Sequence, residues 1–438
     1  MDPLAEELNQ TIQRHNPHLY EMLSPFGKRI FFPKGILSQS AEAKQKAHLH
    51  NATIGIALEK GKAMHLDCIH DWVRDLDPDD IFPYAPAAGK PALRELWLNK
   101  QLAENPSLRD KNFGKPIVTS ALTHGLGIVG DLFVGPGDTV VLPDKFWGNY
   151  RLIFGVRNEA RIVTYPFYTA QGGFDHEALR RTLEREGAGG KKLVVILNFP
   201  NNPCGYTITR DEAGEVTRVL TALAGSGARL VTVLDEAYFG LFYDEGLMTE
   251  SLFGHLINRD ERLLAIKLDG ATKEEFVWGF RVGFITFGSH SSGDLGAVYQ
   301  ALEKKVMGAI RSYVSNGPHL SQTLVCKGMQ SPHFAQEREA KVSLLKARAR
   351  RVMAVLAQPK YRDAWQVYPF NSGYFMCLQL QRVEAETLRR HLLEKYGVGL
   401  IAAGGKDIRI AFSCIEEKDV QALFDIIYQG VLDLETRP

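Results

Sequence analysis

Lys273 and Arg281 stand eight residues apart in "LLAIKLDGATKEEFVWGFRVGFITFG", residues 263–288. The first half reads as a buried strand that breaks at Asp269-Gly270; the second is an apolar run with an arginine inside it. A lysine amine attacks a carbonyl only while unprotonated, a state that burial and a neighbouring positive charge both favour. Arg281 supplies such a charge. A guanidinium buried in "WGFRVGF" needs an anion, because an unpaired buried one is costly, and a phosphate is the natural candidate. "SALTHGLGIVGDLF" offers a second anion site, where a turn at residues 120–123 opens a helix with free N–H groups.

In an open α/β sheet, ligands sit outside the carboxyl ends of strands, so polar residues that follow apolar runs carry the information. "VVILNFPNNPCG" leads to Asn202, "LVTVLDEAY" to Asp235 and Tyr238, and "VVLPDKFWGNY" to Trp147 and Tyr150. Singly, each has a plain structural role as a turn, a helix cap or a core aromatic. Together with Lys273 they bring a carboxylate, an amide, a phenol, an amine and a flat aromatic to one crevice. Those groups match the demands of pyridoxal 5'-phosphate (PLP). Its aldehyde needs the lysine, its ring nitrogen a carboxylate, its phenolate oxygen donors, its face an aromatic, and its phosphate an arginine and a helix N-terminus.

The elements that must position these residues are legible as alternation. "KPIVTS", "DTVVLPD", "ARIVTYPF", "KKLVVILNF", "RLVTVLDEAY", "RLLAIKLDG" and "RVGFITFG" read as strands, with helical patterns such as "DHEALRRTLERE" and "RDEAGEVTRVLTALAGSG" between several of them. This pattern predicts an α/β domain with a mostly parallel sheet. Beyond about residue 318 a long amphipathic helix, a short strand set ("WQVYPF", "YFMCLQL", "IRIAFSC") and closing helices predict a smaller α+β domain. The expected division is residues 1–65 as an N-terminal segment and part of the small domain, 66–320 as the large cofactor-binding domain, and 321–438 as the C-terminal small domain. The run "KARARR" reads as a solvated helix face, since acidic residues precede it and no aromatics interleave.

Composition agrees with small-molecule chemistry. The 438 residues carry 52 basic and 51 acidic side chains, a formal charge of +1, so no global field draws in nucleic acid or an anionic membrane. The five cysteines, Cys68, Cys204, Cys326, Cys377 and Cys414, form no CxxC pair and no cluster with histidine. They read as reduced thiols in a cytoplasmic protein without a metal centre. The polar, acidic N-terminus is read as neither a signal nor a transit peptide, and no apolar run approaches the roughly 18 residues of a membrane span.

Eight motifs in order, "YAPAAGKPALRE", "LPDKFWGNY", "NFPNNPCG", "LDEAYFG", "GATKEEFVWGFRVG", "IRSYVSNGP", "NSGYF" and "IRIAFS", run through nearly the whole chain. In these the sequence resembles the class I/II PLP-dependent aminotransferases of fold type I, the aspartate aminotransferase superfamily. The resemblance implies that Lys273 links to the cofactor aldehyde and shuttles the substrate α-proton, and that Asp235 pairs with the pyridine nitrogen. Asn202 and Tyr238 would bind the phenolate oxygen, Trp147 would stack on the ring, and Thr123, the backbone at Leu122 and Arg281 would hold the phosphate. Arg409 would grip the substrate α-carboxylate.

The resemblance further implies a homodimer with shared active sites. Tyr84 and Ser315 match residues that reach the phosphate from a second subunit, and Arg311 matches the cross-subunit arginine for a side-chain carboxylate. An acidic L-amino acid, aspartate or glutamate, and a 2-oxo acid are then the expected substrates of a ping-pong aminotransferase. A PLP lyase or decarboxylase is the alternative on the same fold; an amino-acid sensor is disfavoured because the catalytic lysine is present without an added DNA-binding unit. Two positions depart from the family pattern: Gly270 stands where a phosphate-binding hydroxyl is usual, with Thr272 a possible substitute, and Cys204 stands for the usual threonine. His124 reads as structural at a helix start, Tyr374 as either pocket or core, and Ile56 as a gate in the segment 51–61 that would close over substrate.

Overall fold

The computed structural model describes residues 1–15, 20, 23, 25–29 and 36–435. The remainder of the expected N-terminal segment, and 436–438 of the expected C-terminal one, lie outside the described residues. Seven strands form the main sheet: β1 (Ile117–Ser120), β2 (Thr139–Pro143), β3 (Arg161–Tyr165), β4 (Lys192–Asn198), β5 (Arg229–Asp235), β6 (Leu263–Asp269) and β7 (Val282–Gly288). These are the seven runs expected from the sequence. Their spatial order is β1-β7-β6-β5-β4-β2-β3, parallel except at β7, which runs antiparallel to both neighbours.

Strand β4 shows why the centre of the sheet forms there. Residues 193–197, "LVVIL", are buried without a break, as a strand covered by helices on both faces requires. Each such aliphatic side chain contributes about 1.5–3 kcal/mol on burial.

The covering helices include α1 (Pro91–Glu104), α2 (Ala121–Phe133), α3 (His176–Gly187), α4 (Arg210–Gly225) and α5 (Leu295–Tyr313). Their starts are written in the sequence. Asp175 caps α3, and Thr209 with Glu212 forms a full capping box on α4. Helix α2 differs, because Ser120 makes no side-chain cap bond. Its first-turn N–H groups therefore remain available to a ligand.

A second, antiparallel sheet comprises β8 (Trp365–Val367), β9 (Phe375–Leu380), β10 (Ile401–Ala402) and β11 (Asp407–Ala411), in the order β8-β9-β11-β10. Strand β10 is too short for alternation to reveal. Around this sheet lie α6 (Phe334–Leu356), α7 (Ala385–Tyr396) and α8 (Val420–Glu435). The segment 50–53 joins it from the other end of the chain: His50 and Asn51 pair with Val398 and Gly399, and the Ala411 N–H donates to the Ala52 carbonyl.

The expectation for "KARARR" is corrected at Arg348. It is 1% exposed, donates to the carbonyls of Leu58 and Ser413 at 2.6 Å, and pairs with Glu416 at 2.8 Å. Arg350 and Arg351 do face solvent. A basic run on one helix divides between faces at 100° per residue, which a charge count does not see.

Candidate functional site

Strands β1, β2, β4, β5 and β6 end on one edge of the main sheet, and β7 begins there. Register places Asn198 opposite Asp235 and Asp235 opposite Leu268. The turns that follow therefore bring Asn202, Tyr238 and Lys273 side by side. Lys273 lies in a single helical turn, Ala271–Glu274, directly after β6. Its amine sits 5.4 Å from the centre of the Tyr238 ring, and its carbonyl accepts from the Tyr374 hydroxyl at 2.9 Å. Tyr374, fully buried, braces the lysine turn through this bond.

Burial pulls the Lys273 amine down to about 8; Asp235 opposes the shift, and Arg281 adds to it. The folded chain therefore releases this proton at lower pH than the unfolded chain does. Between about pH 8 and the ordinary lysine range the unfolded state binds more protons, so stability rises with pH through that window. Denaturant unfolding of the cofactor-free chain is expected to show this rise, and Lys273→Met to flatten it. Identical pH slopes in the two proteins would refute the assignment.

Asp235 is buried at the end of β5, where burial pushes its carboxyl up while the Tyr150 hydroxyl, donating at 2.6 Å, and Lys273 pull it down. Tyr150 had been noted only as a strand-end aromatic. Its role was missed because the bond spans 85 residues, and only the β2–β4–β5 neighbourhood brings the two together. Trp147 is half-buried beside it, with ring centres 5.6 Å apart.

Arg409 lies on β11, opposite Cys377 on β9, and is 2% exposed. Its guanidinium stacks 4.2 Å from the Phe375 ring centre, and its Nη atoms donate to Asn202 Oδ1 at 3.2 Å and the Thr53 carbonyl at 3.0 Å. Nε is buried without a partner. No carboxylate among the described residues pairs with this cation, and burial lowers its pKa. Ile56 is half-buried next to the same strand end, where its carbonyl accepts from Ser413 Oγ at 2.7 Å.

Leu122 and Thr123 stand in the first turn of α2, with Leu122 buried and Thr123 half-buried. Ala121 at the helix start has φ +64, a left-handed conformation that costs an L-residue about 1–2 kcal/mol. His124 Nδ1 accepts the Ser120 N–H at 3.1 Å, the structural part expected of it.

Two expectations around the phosphate-binding residues change. Arg281 is exposed rather than buried: it is the last residue before β7, at φ +56, not a member of the strand. The apolar run that seemed to enclose it is two elements, a short turn and a strand. Thr272 does not replace the missing hydroxyl, because it is buried and donates to the Val282 carbonyl at 3.3 Å. A Cβ at Gly270 would lie 2.6 Å from Gly283 Cα and 2.7 Å from the Val282 oxygen, so the close approach of β6 to β7 leaves no room for a side chain. Cys204, in contrast, fills its place fully buried, its N–H held by Asn201 Oδ1.

Tyr84, Arg311 and Ser315 do not join the cluster within one chain. Tyr84 is 88% exposed, Arg311 is exposed at the end of α5, and its Nη1 donates to Ser315 Oγ at 2.6 Å. Among the described residues no group of His, Cys, Asp and Glu is arranged to hold a metal, and no helix is long and apolar enough to cross a membrane. All five cysteines are free.

The family model for aminotransferases of class I and II matches residues 56–427. An aspartate aminotransferase of Bacillus sp. (strain YM-2) is 24% identical over 256 residues, 58% of this chain and 60% of that protein. One from Musicola paradisiaca is 30% identical over 162 residues, 36% of this chain and 37% of that protein. The chain thus aligns with less than two thirds of the length of these relatives. An aminotransferase structure from Anaerococcus prevotii superposes with a TM-score of 0.81 at 21% identity, covering 92% of this chain and 98% of that one. The kynurenine aminotransferase of Pyrococcus horikoshii, solved with PMP, superposes at 0.77 with 18% identity, covering 96% and 99%. These superpositions establish the fold as type I.

Proposed function

The chain belongs to the class I and II aminotransferases, and from that premise we propose that it moves an amino group between an acidic L-amino acid and a 2-oxo acid by a ping-pong mechanism. The observation that carries the reading is Arg409, a buried guanidinium with one unpartnered nitrogen and no carboxylate partner among the described residues. Such a cation is tolerated where a ligand supplies the anion.

The residues present fit PLP, the cofactor of this family. Asp235, steadied by Tyr150, would face the ring nitrogen; Asn202 and Tyr238 would donate to the phenolate oxygen. Arg409 occupies Asn202 Oδ1 and leaves the amide nitrogen free to donate. The uncapped start of α2, Thr123 and Arg281 would hold the phosphate, and Trp147 would cover the ring. When bound, PLP supplies an aldehyde that exchanges amines and a ring that accepts the electron pair of a broken α-C–H bond.

The chain's own residues do the rest. Arg409 binds the substrate α-carboxylate through its planar fork and so orients the α-carbon toward Lys273. Lys273 Nζ, its pKa lowered to about 8 by burial, would take the proton from that carbon and hold it for return. The segment 51–61, tied to β11 through Thr53 and to the turn after it through Ile56, excludes water with Ile56 facing the substrate.

The acidic specificity rests on Arg311. It would act from a second copy of the chain, as would Tyr84 and Ser315. The exposure of Phe82 (81%) and Tyr84 supports a homodimer that covers them. The free thiols support a cytoplasmic location.

The test is the absorption spectrum of the purified protein with single amino acids. L-Aspartate and L-glutamate are expected to convert the bound cofactor to its amine form, L-alanine and L-phenylalanine not, and Arg311→Met to lose the acidic substrates alone. Conversion by another class only would retire the dicarboxylate assignment. A chain that binds no PLP after reconstitution would overturn the whole reading.

A further inference from the structure

Directly after Lys273 come two glutamates that the chemistry above does not use. Glu274 and Glu275 are 1% and 0% exposed. Lys100 of α1 meets Glu274 Oε1 at 2.7 Å, and Arg338 of α6 meets Glu275 Oε2 at 3.2 Å. Two carboxylates so deeply buried would be intolerable without these cations, and burial raises the Glu274 pKa.

Arg338 also touches the other cofactor-facing turn. A Cβ on Gly240, two residues past Tyr238, would lie 2.3 Å from Arg338 Nη2. Gly240, at φ +81, thus leaves the guanidinium its place. One side chain therefore packs against both the turn carrying Tyr238 and the turn carrying Lys273.

The same helix reaches the substrate side. Along α6, Lys341 pairs with Glu59 at 2.7 Å and Arg348 binds the carbonyls of Leu58 and Ser413. Ser413 in turn holds the Ile56 carbonyl. Arg338 and Arg348 are ten residues apart, roughly 15 Å along the helix axis.

Resting on the aminotransferase reading, we propose that Arg338 is a positioning residue: through Glu275 and Gly240 it sets the turn that presents Lys273, and through α6 it couples that turn to the segment over Arg409. It touches neither substrate nor cofactor.

The test uses Arg338→Lys and the double variant Arg338→Met/Glu275→Gln, which removes both charges together so that no carboxylate is stranded. The first readout is the pH midpoint at which Lys273 is acetylated in the cofactor-free full chain, measured by mass spectrometry. The second is kcat and KM of the reconstituted enzyme. The double variant is expected to move the midpoint by at least about half a pH unit and to lower kcat about tenfold with KM within threefold; Arg338→Lys, which keeps the charge beside Glu275 but loses the second arm at Gly240, should fall between it and the wild type in both. A folded double variant with the wild-type midpoint and kcat overturns the proposal. Because acetylation needs no cofactor, that failure is distinct from failure of the functional reading, which shows as a wild-type chain that binds no PLP.

Discussion

Lys273→Ala is expected to lower transamination by at least about 10⁴-fold, the largest effect of any single substitution in this chain. Two functions are lost together. On the proposed reading the covalent attachment to the cofactor aldehyde would disappear, and so would the base that moves the α-proton, which alone contributes typically 10²- to 10⁴-fold. The substitution should leave the fold intact. The Tyr374 hydroxyl bonds the Lys273 carbonyl rather than its side chain, and a half-buried amine whose pKa burial has lowered is no source of native stability near neutral pH. Melting at pH 7 should therefore match or exceed that of the wild type. Residual turnover within tenfold of wild type, in a variant shown by mass to be homogeneous, would remove Lys273 from the mechanism.

The second large effect is expected at Arg409. Arg409→Lys keeps the charge but loses the planar pair of donors that matches a carboxylate. Loss of a desolvated, hydrogen-bonded ion pair with substrate is on the order of 3–4 kcal/mol, or roughly 10²- to 10³-fold in kcat/KM. A primary amine lacking the α-carboxylate provides the control. It should react poorly and equally with both proteins, because the only difference between them is a contact it does not make. If Arg409→Lys impaired the amine as strongly as the amino acid, the arginine would be holding the fold together and not the substrate.

Much of the architecture was legible because its signals are local. Seven short apolar runs, several of them separated by helical periodicity, are sufficient for a mostly parallel α/β sheet, and all seven join it, β7 antiparallel. The candidate chemistry was equally legible at strand ends, since a lysine, an aspartate, an asparagine and a tyrosine each follow an apolar run at once, and parallel strands bring such ends to a common edge. Where the residue-level reading failed, solvent exposure or a distant partner was at stake. Arg281 appeared buried because its neighbours in sequence are apolar, yet a left-handed residue between a turn and β7 faces outward. Arg348 appeared solvated because its neighbours are basic, yet its face of α6 lies on the carbonyls of Leu58 and Ser413.

Residue type and short spacing were therefore enough for the class of fold, the family and a set of candidate side chains for the chemistry. How those side chains are tuned depends on contacts between distant parts of the chain. Tyr150 steadies Asp235 across 85 residues, Arg409 reaches Asn202 across 207, and Arg338 meets the lysine turn through Glu275. The physical reason is that pKa values and ion pairing depend on distance and burial in three dimensions, which periodicity along the chain does not specify. The same holds for Gly270, whose missing hydroxyl is explained only by the backbone of β7 pressed against it.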